Sequence, residues 1–298
     1  VVFVSLISYN DIVTKNTHGD IMREIILADN AGFCFGVSRA VKEAFTLGEK
    51  GKKVFTFGEL IHNRDVVEKL KDSNVEVLEN DPGEAFKKED TVIIRSHGLS
   101  EENVKKLKAS SDNVVDLTCP YVSNIHRIVR EHADLGYTVV ILGDKNHPEV
   151  MGINGWCYNK AIIVRNGSED FRVPLKVCAV AQTTEKLENW VSLITRLSAE
   201  AKEIRAFNTI CAATGLRQNS TEELSKKVQA MVVIGGKHSS NTTKLYEISR
   251  NNCTNTYFVE NAEELKQYTE ELKKYSRIGV TAGASTPDWI IKEAMELL

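Results

Sequence analysis

The sequence predicts an α/β protein of three pseudo-symmetric lobes with mainly parallel sheets. Three observations carry that expectation. First, a cysteine sits in a strand-to-helix turn three times, at Cys34, Cys119 and Cys211, which are 85 and 92 residues apart, with 87 residues from the last to the chain end. Second, a polar cluster follows each cysteine at one distance: His62, His147 and Ser239 each lie 28 residues downstream. Third, apolar strand-like runs alternate with helical patterns throughout, as in strands joined by helical crossovers. A period this long exceeds the roughly 20–50 residues of solenoid repeats and points to triplication of one small α/β unit.

In the first third, the apolar run Glu24–Ala28 leads into Ala31-Gly32-Phe33-Cys34-Phe35-Gly36-Val37 and a helix over Val37–Gly48. Cys34 therefore stands at a helix N-terminus, where free amide N–H groups and the positive end of the helix dipole favour a thiolate. A strand Val54–Phe57, the cluster Ile61-His62-Asn63, a helix Arg64–Lys71 and a strand Val75–Leu78 follow. Asp81-Pro82-Gly83 is a turn, and the apolar strand Thr91–Ile94 runs into Arg95-Ser96-His97-Gly98.

The second third repeats the scheme. Thr118-Cys119-Pro120 opens a helix over Val122–Leu135, the strand Thr138–Leu142 precedes Asn146-His147-Pro148-Glu149, and the strand Lys176–Val180 ends at Gln182-Thr183-Thr184. In the last third, Cys211 precedes a helix over Thr221–Val228. A strand Met231–Ile234 stops at Gly235-Gly236 before His238-Ser239-Ser240-Asn241, and Ile278–Thr281 leads to Ala282-Gly283-Ala284-Ser285 and a helix from Pro287. The expected lobes are 22–118, 119–210 and 211–298. Residues 1–21 fit none of the repeat and read as a non-catalytic extension ahead of a start at Met22. No flexible linker separates the lobes, so tight packing is expected.

A content of 42% hydrophobic and 27% charged residues is that of an ordinary globular protein. The net charge of −3 and the absence of any basic run beyond pairs such as Lys52-Lys53 argue against a nucleic-acid surface. No stretch reaches the ~18 apolar residues of a membrane span. Six cysteines in a chain of this length, without a secretory signal, point to reduced thiols in a cytoplasmic compartment.

Ligands of parallel sheets sit at the carboxyl ends of strands, where all these polar clusters fall. The expectation is one central cleft floored by Cys34, Cys119 and Cys211 and walled by His62, His97, His147, Glu149, Thr183, Ser239, Ser240, Asn241 and Ser285. Three thiolates suit an iron–sulfur cubane with one iron left open, or a three-cysteine zinc site with a fourth ligand. The long spacing, without C-x₂₋₄-C pairs, favours iron–sulfur. Hydroxyls, an amide and imidazoles at helix N-termini suit a phosphate or diphosphate. Glu149, the one carboxylate of these clusters, is the candidate proton donor, against a bland role as a helix-capping residue. His126 and His132 read as surface residues, and His238 as structural. Cys157, Cys178 and Cys253 read as core or partly exposed thiols. Gly235-Gly236 begins neither a dinucleotide nor a Walker motif. A rival reading is a non-catalytic sensor that uses the same three thiolates to switch partner binding.

Taken together, Gly32-Phe33-Cys34-Phe35-Gly36-Val37, Ile61-His62-Asn63, Ser96-His97-Gly98, Thr118-Cys119-Pro120, His147-Pro148-Glu149-Val150, Gln182-Thr183-Thr184, Ser239-Ser240-Asn241 and Thr281–Ser285 resemble the 4-hydroxy-3-methylbut-2-enyl diphosphate reductase (LytB) family. The resemblance runs colinearly from Met22 to Leu298. Departures are Phe35 where alanine is common, His238 where asparagine is common, and the first 21 residues. The resemblance implies a trefoil of three α/β lobes around a [4Fe-4S] cluster held by Cys34, Cys119 and Cys211. It implies that His62, His97, His147, Ser239, Ser240, Asn241 and Ser285 bind the substrate diphosphate. Thr183 would orient the allylic hydroxyl and relay a proton from Glu149. The implied reaction is reductive dehydroxylation to isopentenyl and dimethylallyl diphosphates, the last step of the methylerythritol phosphate route, with ferredoxin or flavodoxin as electron donor.

Overall fold

The computed structural model describes residues 12–14, 23–50, 53–78 and 86–298. The turn expected at Asp81-Pro82-Gly83 and most of the expected extension 1–21 lie outside the described residues. The chain divides into two compact units, Phe35–Gly215 and Val1–Cys34 with Leu216–Leu298.

The unit Phe35–Gly215 contains two four-stranded parallel sheets. In one, the spatial order is Val75–Leu78, Val54–Phe57, Thr91–Ile94, Asn113–Asp116, with Val54 opposite both Val75 and Thr91. In the other it is Ile162–Val164, Thr138–Leu142, Lys176–Ala181, Glu203–Ala206. Both sheets thus run second, first, third, fourth in sequence order. The inner strand Thr91–Ile94 is buried along its whole length, as parallel strands covered on both faces must be.

Side-chain alternation shows what covers those faces. Val139, Ile141, Cys178 and Val180 pack with Ile125, Ile128 and Val129 of the helix Pro120–Asp134. Val140, Leu142, Val177 and Ala179 point the other way, onto Leu193 and Leu197 of the helix Leu187–Glu200. The edge strand Glu203–Ala206 carries charged, more exposed residues, which suits an edge.

His126 and His132 are buried, against the surface placement expected from their neighbours in sequence. They fall on the same helical stripe as Val122, Ile125 and Val129, so the 3.6-residue period overrides local polarity. His126 stacks on Trp156, and the ring of His132 meets Tyr137 and Phe207 edge-on. Cys157, Cys178 and Cys253 are buried.

In the other unit, Thr256–Val259, Ala230–Ile234, Arg277–Ala282 and Arg23–Leu27 form a parallel sheet, with Ile12–Thr14 antiparallel on its edge. The order is again second, first, third, but the fourth strand comes from the start of the chain. Although Arg23–Leu27 stands at the head of residues 22–118 in sequence, its hydrogen bonds go to Arg277–Val280. Each fourth strand leads into a cysteine: Asn113–Asp116 into Cys119, Glu203–Ala206 into Cys211, Arg23–Leu27 into Cys34. The three cysteines therefore occupy equivalent topological positions. A helix Ala212–Ser225 begins directly after Cys211, earlier than the segment Thr221–Val228 expected. No helix among the described residues is long and apolar enough to cross a membrane.

Candidate functional site

Three histidines meet in the unit Phe35–Gly215. His97 sits in the turn that leaves the buried strand Thr91–Ile94. Gly98 closes that turn by donating its N–H to the Arg95 carbonyl at 3.0 Å, at a φ of +71° that a side chain would resist. The Ser96 hydroxyl donates to the Leu60 carbonyl at 3.2 Å and so ties the turn to the loop bearing His62. His62 precedes Asn63, whose side chain caps the helix Arg64–Asp72 by accepting from the Val66 N–H. His147 caps the helix Pro148–Trp156, with proline at the first helical position. The ring centroids are 4.7 Å apart for His62 and His97, 5.6 Å for His62 and His147, and 5.3 Å for His97 and His147.

Burial first, then the neighbouring His62, His147 and Arg95, hold His97 well below the ordinary histidine range. Burial also lowers Arg95, against the pull of Glu59. His62 Nδ1 lies 3.4 Å from a carboxylate oxygen of Glu59. Nε2 of His62 and Nδ1 of His97 are buried and have no hydrogen-bond partner among the described residues.

One ring nitrogen from each histidine lies within 4.8 Å of the others, so the group could hold a cation by lone pairs or an anion by N–H groups. His147 decides between them. Its Nδ1 accepts the Glu149 N–H at 3.1 Å, which leaves the ring proton on Nε2 as a donor. With the guanidinium of Arg95 beside His97, the arrangement suits an anion. Arg95 was not singled out by the sequence; its signal is a cation two residues before His97 at the end of a buried strand.

The same helix N-terminus carries Glu149, which is 2% exposed. Its carboxylate takes two donors from one residue: the Thr183 N–H to Oε1 at 2.6 Å and the Thr183 hydroxyl to Oε2 at 2.8 Å. Thr183 follows the strand Lys176–Ala181, and its own carbonyl accepts the Cys211 N–H at 2.9 Å. Gln182 braces the turn, its side-chain oxygen accepting from the Asp144 N–H at 3.1 Å and its amide donating to Thr184 at 3.0 Å. Glu149 and Thr183, remote in sequence, are thus a single hydrogen-bonded device. Glu149 also stands in the first turn of the helix Pro148–Trp156, where a carboxylate complements the helix dipole.

None of the six cysteines forms a disulfide among the described residues, and Cys34, Cys119 and Cys211 are partly accessible where the other three are buried. Each of the three directly precedes a helix, Phe35–Gly48, Pro120–Asp134 or Ala212–Ser225. The Cys119 sulfur packs closely on Gly36, where a Cβ would lie 2.8 Å from Sγ, so glycine is what permits the approach. Burial pushes the Cys157 thiol up to about 11 and that of Cys178 up to about 12, and raises Cys253. Soft thiolate ligands are therefore to be sought in the first set, whose donor chemistry fits an iron–sulfur centre.

Cys34, Ser239, Ser240, Asn241 and Ser285 belong to the second unit. Ser239 caps the helix Ser240–Asn252, its hydroxyl accepting from Thr242 N–H at 3.4 Å. Asn241 is 3% exposed, and neither polar atom of its side chain has a partner among the described residues. Ser285 is 8% exposed, in the turn after the strand Arg277–Ala282. A capped helix start with an unsatisfied amide in its first turn is suited to an anion.

The model of the family described as LytB protein matches residues 25–298. The chain belongs to the LytB family. A LytB relative from Clostridium perfringens (strain 13 / Type A), named 4-hydroxy-3-methylbut-2-enyl diphosphate reductase, is 52% identical over 92% of this chain and 97% of its own length. A protein of the same name from Clostridium tetani is 53% identical over 91% of this chain. This chain spans 43% of that relative's length. Among solved structures, one described as (E)-4-hydroxy-3-methyl-but-2-enyl diphosphate reductase, the terminal enzyme of the non-mevalonate pathway, is 43% identical. The match covers 92% of this chain and 98% of that one, with a TM-score of 0.66. The E-1-hydroxy-2-methyl-but-2-enyl-4-diphosphate reductase from Plasmodium falciparum is 27% identical over 92% of this chain and 87% of its own, with a TM-score of 0.82. The three parallel-sheet lobes are the LytB architecture.

Proposed function

We propose that this chain is a 4-hydroxy-3-methylbut-2-enyl diphosphate reductase. It converts (E)-4-hydroxy-3-methylbut-2-enyl diphosphate into isopentenyl and dimethylallyl diphosphates. The observation that carries the chemistry is the buried Glu149 carboxylate bonded twice to Thr183. In the balanced reaction, two electrons and two protons enter, the allylic C–O bond breaks, one proton leaves with the hydroxyl as water, and the other goes to an allylic carbon.

Cys34, Cys119 and Cys211 would hold a [4Fe-4S] cluster, the family's expected cofactor. When bound it supplies one-electron transfers and a Lewis-acidic iron. The electrons come from an external iron–sulfur or flavin protein such as ferredoxin or flavodoxin. His62, His97, His147, Ser239, Ser240, Asn241 and Ser285 bind the diphosphate, in a three-lobed chain divided near residues 118 and 210. Fixing the diphosphate orients the allylic end, which can supply several kcal/mol of the barrier reduction.

Proton delivery follows from the Glu149 geometry. Because the Thr183 N–H holds Oε1 as an acceptor, an added proton resides on Oε2. The bond to the hydroxyl then reverses, so Glu149 donates to Thr183 Oγ1 and the threonine proton turns toward the substrate oxygen.

The test is an anaerobic assay with a dithionite-reduced dye. A brown protein whose reduced cluster is reoxidised by the allylic diphosphate supports the reading. A colourless zinc protein inert to that substrate replaces the enzyme with a metal-binding module.

A further inference from the structure

We infer that Arg39 is a positioning residue for Cys119: its guanidinium holds the backbone that leads into this cysteine and sets a fixed positive charge beside it. The inference rests on the reading of Cys119 as an iron–sulfur ligand. One Arg39 nitrogen, Nη2, donates to the Leu117 carbonyl at 3.1 Å and to the Thr118 carbonyl at 2.8 Å. The Thr118 carbonyl belongs to the peptide bond that ends at the Cys119 nitrogen, so the guanidinium stands on the ligand's own peptide group. The same helix meets Cys119 a second time. Gly36, one turn before Arg39 on that face of Phe35–Gly48, receives the Cys119 sulfur so closely that a Cβ would lie 2.8 Å from it.

The N–H groups of this segment are bonded elsewhere. Leu117 donates to the Ile94 carbonyl at 2.9 Å, Cys119 to the Ser96 carbonyl at 3.0 Å, and Thr118 to Asp116 Oδ1 at 2.9 Å. Leu117 and Thr118 are 4% and 8% exposed, so their carbonyls need a donor from the protein. A neutral donor would meet that need. What a guanidinium adds is a charge that deprotonation does not remove. Arg39 Nε is buried with no partner among the described residues, so the cation is held there at a desolvation cost. A thiolate ligand on the adjoining residue offsets that cost, and the bonds to its backbone fix its direction. The second unit repeats the device: Arg217 of the helix Ala212–Ser225, 2% exposed, donates its Nη2 to the Gly32 carbonyl at 2.9 Å, two residues before Cys34.

The experiment uses the cluster-loaded full chain under anaerobic conditions and needs no turnover. It reads iron release to a ferrous chelator, amide exchange in the peptides containing Cys119 and Cys211, and the reduction potential of the cluster. Arg39→Met releases iron about tenfold faster, as expected when a group that orients a ligand is lost. Exchange rises in the Cys119 peptide but not in the Cys211 peptide, whose cysteine N–H bonds the Thr183 carbonyl at 2.9 Å. The potential falls, because a nearby positive charge favours the reduced, more negative cluster. Arg39→Lys, which keeps the charge, keeps the potential. Unchanged iron release, equal exchange increases in both peptides, or one potential for all three proteins overturns the inference. If Arg39→Met fails to fold, Arg39→Gln, a donor without charge, still lowers the potential, and an unchanged potential overturns the inference. Failure of the underlying reading is distinct: Cys119→Ser then keeps its full iron.

Discussion

Thr183 satisfies both carboxylate oxygens of Glu149 from its own backbone and side chain, N–H to Oε1 at 2.6 Å and hydroxyl to Oε2 at 2.8 Å. Two oxygens of one group are thereby made inequivalent: a backbone N–H can only donate, whereas a hydroxyl can donate or accept. A proton on Oε2 can pass to Thr183 Oγ1, whereas the N–H facing Oε1 cannot take one.

Glu149→Gln keeps the shape but removes the exchangeable proton. The amide oxygen can still accept the Thr183 N–H while the amide nitrogen donates to Oγ1. The variant should retain its cluster and bind the diphosphate, with kcat reduced by roughly 10²–10⁴-fold, the range of a lost general acid. Cluster absorbance and dye-coupled turnover on one sample check this, and full turnover would remove Glu149 as the acid.

Thr183→Val leaves the backbone donor and deletes the hydroxyl. Oε2 of a buried carboxylate then loses a hydrogen-bond donor, costing about 1–3 kcal/mol of stability, and the proton route through the hydroxyl is cut. Thr183→Ser should restore most of both. Urea midpoints and kcat for the two variants separate this from a simple loss of packing, which serine would not repair.

Much of this was legible in the chain. Strands with continuous apolar runs, Val54–Phe57, Thr91–Ile94 and Thr138–Leu142, stand where their sequences put them, because a strand buried on both faces needs little beyond its own residues to announce it. The short strands Ile162–Val164 and Glu203–Ala206 were missed: one is three residues long and the other alternates charge with apolar residues at a sheet edge. The partner of Arg23–Leu27 could not be read locally, since its pairing with Arg277–Val280 spans most of the chain. Of the site, spacing found His62, His97 and His147, whose rings meet. It missed Arg95, and it missed the burial of His126, which lay on an apolar stripe that the helical period alone marks.

The two classes of cysteine should separate chemically. In cluster-free protein at pH 8, iodoacetamide should label Cys34, Cys119 and Cys211. Cys157 and Cys178, pushed up to about 11 and about 12 by burial, and Cys253, also raised, should stay unmodified until denaturation. Serine substitution in the first set should abolish iron binding, and in the second it should not. Peptide mapping and iron content test the division, and the reverse pattern would reassign the ligands.

Acid stability should carry the signature of His126. Burial lowers its pKa from 6.5 to about 4, with Asp116 pulling weakly the other way. The folded state therefore holds His126 neutral at pH values where the unfolded chain has taken up a proton. Between about pH 6.5 and 4 the unfolded state binds more protons, so stability falls as pH falls. The contribution is fully present above about pH 6.5 and exhausted below about pH 4. A gap of about 2.5 units at 1.36 kcal/mol per unit makes it about 3 kcal/mol. His126→Gln, which cannot titrate, should flatten the fall in urea midpoint between pH 7 and pH 4.5. Parallel curves for the variant and the unsubstituted protein would mean that the acid sensitivity arises elsewhere.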